Sequence, residues 1–290
     1  MESPFNGDVV KGKVALLTGG GSGIGLDMAI QFGKHGASVA IMGRRKDVLD
    51  AAVSALASLG IPAVGYAGDV RKQEDARRVV EETVKHFGKL DILVNAAAGN
   101  FLVAAEDLSP NGFKTVMDID TLGTFTMCHE AFPYLKKGRD SCGGLILNIS
   151  FHNSASNWYQ VHASAAKAAV DSVTRNLALE WGADYDIRVN GISPGPIADT
   201  LGLSKLAPQD IDVEAATPLY KLGSKWDVSM AALYLASDAG KYINGVIIQV
   251  DGGLFLSKPR YLPKESVKQL SLSLEKKLRP AAVGVATSKL

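Results

Sequence analysis

Eight residues near the N-terminus, Thr18-Gly19-Gly20-Gly21-Ser22-Gly23-Ile24-Gly25, suit one kind of chemistry, which is holding a phosphate against bare backbone. Glycine has no Cβ, so the main chain can come close to a pyrophosphate. A helix beginning there turns free N–H groups and positive potential toward it. The run follows the strand-like "KVALLTG" and opens a helical pattern, the order that a dinucleotide site requires and an incidental turn does not. Gly19, Gly21, Ser22, Gly23 and Ile24 are therefore expected to bind cofactor. The second apolar run ends "MGRRK", with no acidic residue to accept the 2′-hydroxyl of an adenosine ribose. Arg44 and Arg45 stand there instead and offer cations to a 2′-phosphate, so the expected cofactor is NADPH. Asp69-Val70, ending the third run, suits the adenine. Asn95, ending the fourth, is placed to hold backbone beside the sheet crevice.

These residues need a frame, and the apolar pattern supplies one. Short β-branched runs, "KVALLTG", "SVAIMG", "PAVGYAGDV", "LDILVNAAAG", "GGLILNIS", "IRVNGIS" and "GVIIQVDGG", alternate with helical stretches. The helices are expected over about Gly23–His35, Lys46–Leu59, Gln73–Phe87, one long Pro110–Lys136, Trp158–Trp181 and near Asp227–Ser237. Strands that are apolar throughout and separated by helices indicate a parallel sheet covered on both faces. The expected fold is α/β, a doubly wound Rossmann-type parallel sheet of about seven strands with helices on both faces. It should occupy residues 1–257, and residues 258–290 form a basic C-terminal extension. Lys276, Lys277 and Arg279 in that extension read as a solvated helix face.

Composition narrows the class. Thirty-one basic against thirty acidic residues give a net charge of +1, no footprint for nucleic acid or an anionic membrane. No apolar run reaches the ~18 residues of a membrane span, and the start "MESPFNGDVV" has no secretory pattern. Cys128 and Cys142 have no ligand spacing and read as packing or surface residues of a reducing compartment. The ending Ser288-Lys289-Leu290 is the S-K-L address read by the peroxisomal import receptor, so the peroxisomal matrix is the expected location.

The glycine run, "NAAAG" after the fourth strand, Ser150 after the fifth, Lys167 and "SPGPI" together resemble the short-chain dehydrogenase/reductases over most of the chain. The resemblance implies that Pro194, Gly195 and Ile197 flank the nicotinamide, that Thr200 contacts the cofactor's phosphates or carboxamide, and that Lys167 holds its ribose. Typical members polarise a carbonyl with a Ser-Tyr-Lys set completed by a helix asparagine. Ser150 and Lys167 fit that set. Ala163 stands four residues before Lys167, where the tyrosine belongs, and Asp120 stands three residues before Gly123, in the asparagine's place.

Reducing a ketone makes an alkoxide, and losing its proton donor forfeits roughly 10²–10⁴-fold. A conjugated dienoyl thioester avoids that demand. Hydride at the far end of the diene leaves a delocalised dienolate, which needs oxyanion stabilisation first and a proton on carbon afterwards. Lys167 supplies positive charge, Ser150 lies near the oxygen, and Asp120 with Lys167 orders a water that protonates the α carbon. Tyr159 has the wrong offset from Lys167 for the usual tyrosine and reads as a packing or rim residue. His152 and His162 have no metal-ligand spacing and read as surface or pocket lining, so no metal is expected.

"NAAAGNF", "LSPNGFKTVMDID", "VHASAAKAAVD" and "IRVNGISPGPI" resemble a narrower group, the peroxisomal 2,4-dienoyl-CoA reductases. That implies NADPH-dependent reduction of a fatty 2,4-dienoyl-CoA to the trans-3-enoyl-CoA, a step in β-oxidation of unsaturated fatty acids. Asn100 and Phe101, with Ser150 and Tyr159, would border the acyl-CoA pocket, and a homotetramer is implied. Two other readings stand beside it. One is a ketone or 3-oxoacyl-CoA reductase in which Tyr159 donates the proton. The other is a catalytically silent dinucleotide-binding protein, against which Asp120, Ser150 and Lys167 weigh.

Overall fold

Leu16 and Leu17 are neighbours in the first strand, and each is fully buried in a different hydrophobic cluster. Successive side chains of a strand point to opposite faces, so this strand is covered on both sides. The computed structural model describes residues 2–136, 143–151, 156–206 and 212–257. Cys142, His152, Lys276, Lys277, Arg279 and the Ser288-Lys289-Leu290 ending lie outside the described residues. Contacts divide the chain into a unit Met1–Phe255 and a unit Leu256–Leu290. None of the described helices is long and apolar enough to cross a membrane.

In chain order the elements are β1 (Val14–Thr18), α1 (Gly23–Lys34), β2 (Ser38–Gly43), α2 (Lys46–Ser58), β3 (Ala63–Ala67), α3 (Gln73–Phe87) and β4 (Ile92–Asn95). There follow α4 (Pro110–Met117), α5 (Gly123–Leu135), β5 (Leu145–Ile149), α6 (Val161–Tyr185), β6 (Arg188–Pro194), α7 (Leu201–Leu206), α8 (Val213–Ala216), α9 (Lys225–Ala236) and β7 (Ile247–Val250). The strands form one parallel sheet in the order β3-β2-β1-β4-β5-β6-β7. The doubly wound α/β expectation is correct. Strand order reverses between β1 and β4, and ligands bind at such a point outside the carboxyl ends of the strands. Thr18, Asn95 and Asn148 lie in register along that edge.

One layer joins Leu17, Ile41 and Val94 to Met28 and Phe32 of α1 and to Val228 and Leu233 of α9. The other joins Leu16, Met42 and Leu93 to Val79 and Val80 of α3, Met127 and Ala131 of α5, and Leu177 of α6. Each fully buried side chain of this size is worth roughly 1.5–3 kcal/mol over leaving it exposed. The two layers therefore hold the strand ends, and the residues just past them, on a rigid base.

Two helices differ from the sequence expectation. The long Pro110–Lys136 helix is interrupted by a π-helical turn at Asp118–Leu122. Val116, Asp120, Thr124 and Cys128 are all buried although they recur every four residues. A regular helix would swing such a row around its axis by roughly 40° per step. A turn closed by i→i+5 bonds takes up part of that drift. The second helix was expected from Trp158 but begins at Val161, because Tyr159 adopts a left-handed backbone (φ 59°) that stops the helix there. That helix also runs four residues past its expected end, to Tyr185, and the short α7 and α8 were not expected; the remaining helix boundaries fall within two residues of the expectation.

Candidate active site

The glycine run turns from β1 into α1 as its spacing implies. Gly19 has φ +66°, and a Cβ there would stand 2.7 Å from the carbonyl oxygen of Ala96, so no other residue fits between the ends of β1 and β4. Thr18 Oγ1 accepts the N–H groups of both Ala96 and Ala97 at 3.1 Å, which fixes the chain leaving β4. Ser22 precedes α1 without capping it through its side chain, so the first-turn N–H groups remain available to an anion.

A cleft of about 650 Å³ lies over this edge of the sheet. Gly19, Gly21, Ser22, Gly23, Ile24, Arg44, Arg45, Asp69, Val70, Asn100 and Thr200 of the expected set line it. Met42, Gly68, Ile119 and Ile149 line it too and were missed, since small and apolar wall residues carry no chemical signal in a sequence; Asp199, next to the expected Thr200, was missed as well. Both arginines are exposed at its rim. Arg71 grips the Asp69 carboxylate through Nε at 3.0 Å and holds it below the usual carboxylate range.

Other expected cofactor residues are set back from the cleft. The Asn95 amide donates to Asn148 Oδ1 at 2.9 Å beneath the sheet edge. Pro194 ends β6 and is buried, and Ile197 is buried beside a bridge to Gly223. Gly195 packs so tightly on the strand edge that a Cβ would meet Asp251 at 2.7 Å. Thr200 Oγ1 donates to the Ile197 carbonyl at 2.8 Å and accepts the Leu203 N–H at 3.2 Å, which caps α7.

The π turn, which also carries the cleft residue Ile119, and α6 bring Asp120 and Lys167 together. Asp120 Oδ2 lies 3.3 Å from Lys167 Nζ, and the two side chains are only 2% and 8% exposed. Asp120 Oδ1 accepts the Gly99 N–H at 2.7 Å, and Lys167 donates to the Ile149 carbonyl at 2.8 Å. Burial pushes the Asp120 carboxyl above the ordinary aspartate value; the Lys167 charge and the Gly99 N–H oppose this without cancelling it. A π turn is often found at a functional site, and here it carries the buried acid.

Ser150 takes an unforeseen partner. Its hydroxyl donates a short hydrogen bond to Asp171, four residues beyond Lys167 on α6. Lys167 and Asp171 therefore share one helix face, a signal that their spacing carried. Ala163, in the place of the usual tyrosine, is buried at 2% exposure.

The loop after β4 is fastened to the start of α6. Asn100 Nδ2 donates to Gln160 Oε1 at 2.6 Å, and the Val103 N–H donates to the Tyr159 carbonyl at 3.0 Å. Phe101 stacks on His162 with ring centroids 4.2 Å apart. His162, expected as surface or pocket lining, is wholly buried. Tyr159 is 59% exposed, and Cys128 is buried in the core beside Asn95.

Residues 19–255 match the family described as enoyl-(acyl carrier protein) reductase. The chain is 69% identical to a peroxisomal 2,4-dienoyl-CoA reductase of Arabidopsis thaliana, named as producing (3E)-enoyl-CoA, with all of both chains covered. It is 42% identical to the Mus musculus protein of the same name, over 92% of this chain and 90% of that one. Its fold matches a crystal structure of a short chain dehydrogenase from Bacillus anthracis with a TM-score of 0.78 and 37% identity, over 87% of this chain and 100% of the other.

Proposed function

The chain belongs to the short-chain dehydrogenase/reductase family, and we propose that within it the protein reduces 2,4-dienoyl-CoA to trans-3-enoyl-CoA with NADPH. The observation that carries this reading is the buried Asp120–Lys167 pair beside an alanine, Ala163, where a carbonyl reductase needs its proton-donating tyrosine. The relatives' names point the same way, and neither the ketone-reductase nor the silent reading is favoured.

The cleft fits a dinucleotide. Gly23 has φ +58° with nothing within 4 Å of where a Cβ would stand, so its lack of a side chain keeps the mouth of α1 open. The glycine run and the α1 N-terminus would hold the pyrophosphate, Arg44 and Arg45 the 2′-phosphate, and Asp69 with Val70 the adenine. When bound, the nicotinamide supplies a hydride for the δ carbon of the diene.

The chain's own residues handle the charge and proton that follow. An ammonium has three donors, and the described contacts of Lys167 use two, on Ile149 and Asp120. The third can meet the thioester oxygen as dienolate charge develops. The Ser150 proton is directed to Asp171, so Lys167 is the main positive group at that oxygen. Asp120, held by Gly99 and Lys167, positions the water that protonates the α carbon. Asn100, which lines the cleft, and Phe101 next to it would border the acyl thioester, with the exposed Tyr159 at the rim.

The Ser288-Lys289-Leu290 ending directs the protein through the import receptor to the peroxisomal matrix, and the resemblance to the family supports a homotetramer as the working form. The deciding assay is NADPH oxidation with 2,4-hexadienoyl-CoA against an acetoacetyl-CoA control, with the product identified. Turnover of the dienoyl thioester to the 3-enoyl product is expected. Turnover of the oxo compound alone would overturn the reading.

A further inference from the structure

His162 lies in the first turn of α6, and its ring is fully buried. Neither Nδ1 nor Nε2 makes a well-formed hydrogen bond among the described residues; the Phe101 backbone stands near enough to one of them to act only as a weak partner. A buried imidazole with at least one nitrogen unpaired is costly, and proteins keep such a group where something else completes it. The ring cannot swing away to find a partner. It stacks on Phe101 at 4.2 Å and 24° between planes, and Phe101 belongs to the loop that Asn100–Gln160 and Val103–Tyr159 bonds fasten to α6. The Asp120 carboxylate is close enough to act electrostatically on the ring, and its other contacts, Gly99 and Lys167, are already engaged. Burial disfavours the imidazolium, so the ring is neutral, with one donor and one acceptor nitrogen.

A neutral ring cannot stabilise an oxyanion by charge. It can fix a water's orientation against a carboxylate, and in this reaction orientation decides the product. Hydride at the δ carbon leaves a dienolate with two nucleophilic carbons. A proton on the α carbon leaves the 3,4 double bond, whereas a proton on the γ carbon leaves the 2,3 double bond. Either way one hydride and one proton are added, and only the proton's address differs. We infer that His162 is the positioning residue that selects the α carbon, by holding the protonating water between its imidazole and the Asp120 carboxylate. The inference rests on the dienoyl reductase reading.

The test compares the wild type with His162→Phe, His162→Leu and His162→Gln. Phenylalanine keeps the stack on Phe101 and removes both nitrogens, leucine is a smaller nitrogen-free control, and glutamine restores a polar end without the ring. Each is incubated with NADPH and 2,4-hexadienoyl-CoA in D₂O, the deuterium is located at C2 or C4 by NMR, and NADPH affinity is titrated in parallel. The wild type should place deuterium at C2 and yield 3-enoyl-CoA. The nitrogen-free variants should bind NADPH normally, lose about tenfold or more in kcat, and divide deuterium between C2 and C4. Glutamine should move the product back toward C2. Deuterium at C2 alone in either nitrogen-free variant that binds NADPH overturns the inference, as does a glutamine product no different from the leucine one. A wild type that does not reduce the dienoyl thioester defeats the functional reading instead, so the two failures are distinguishable.

Discussion

Removing both members of the Asp120–Lys167 pair should cost far less than the sum of removing each alone. At 3.3 Å and an effective dielectric constant near 20, the gross attraction between the two charges is about 5 kcal/mol. Desolvation opposes it, and burial outweighs the lysine's pull at Asp120, since the carboxyl is shifted up despite its partner. The pair is thus close to break-even as a whole, while a lone survivor is a buried, uncompensated charge worth about 3–5 kcal/mol of instability. Asp120→Ala also strips the acceptor from the Gly99 N–H, a further ~1–3 kcal/mol, whereas Asp120→Asn can still accept it. We expect Asp120→Asn and Lys167→Met each to lose about 3 kcal/mol, and the double variant to lose about 2–3 kcal/mol less than their sum. Urea unfolding at one fixed protomer concentration measures this, because assembly makes apparent stability depend on concentration. NADPH oxidation with 2,4-hexadienoyl-CoA should fall at least about 10²-fold in all three variants. Stabilities that add to within about 0.5 kcal/mol would refute the idea of an interdependent buried pair.

Further outcomes follow from the same geometry. Replacing Arg44 and Arg45 together by alanine should raise KM for NADPH about 10²-fold, from two lost charge-assisted bonds, with KM for NADH nearly unchanged. Equal losses for both cofactors would remove the 2′-phosphate assignment. Tyr159→Phe should keep dienoyl turnover within about twofold, because the exposed ring is at the rim; a loss of about 10²-fold would instead make its hydroxyl the proton donor. The acid limb of kcat/KM should lie above the ordinary aspartate value of 3.8, since burial retains the Asp120 proton to higher pH and activity needs the carboxylate. A limb at or below 3.8 contradicts that requirement. Burial pushes the Cys128 thiol up to about 12, so in a Cys142→Ser background the native protein should not react with a disulfide reagent at pH 8 until it unfolds.

The sheet was legible because each strand is apolar on both faces and each connection is helical, a pattern with few alternative folds. The phosphate loop was legible because it needs glycines in a fixed order between a strand and a helix. What escaped was of another kind. The π turn at Asp118–Leu122 leaves only a faint trace, a four-residue recurrence from Val116 to Cys128 that a plain helix also tolerates over short spans. The late start of α6 depends on one left-handed residue, Tyr159, which no propensity favours there. The burial of His162 is decided by Phe101, sixty-one positions earlier in the chain, through a contact no local pattern encodes. Asp171 was within reach, since its offset from Lys167 already places both on one helix face.

The widened turn also bears on how the gene can change. A π turn holds one residue more than the α-helix it interrupts. Deleting a single residue between Asp118 and Leu122 would restore regular winding and leave the helix beyond facing nearly as before, because the wide turn spends its extra residue on about the same rotation. Met127 and Ala131 would still face the sheet, but the turn would tighten and carry the acid away from its lysine. Residue count in this stretch is thus under the same constraint as residue identity. The helix packing beyond does not depend on the extra residue, but this five-residue segment must keep its length for the acid to meet its lysine.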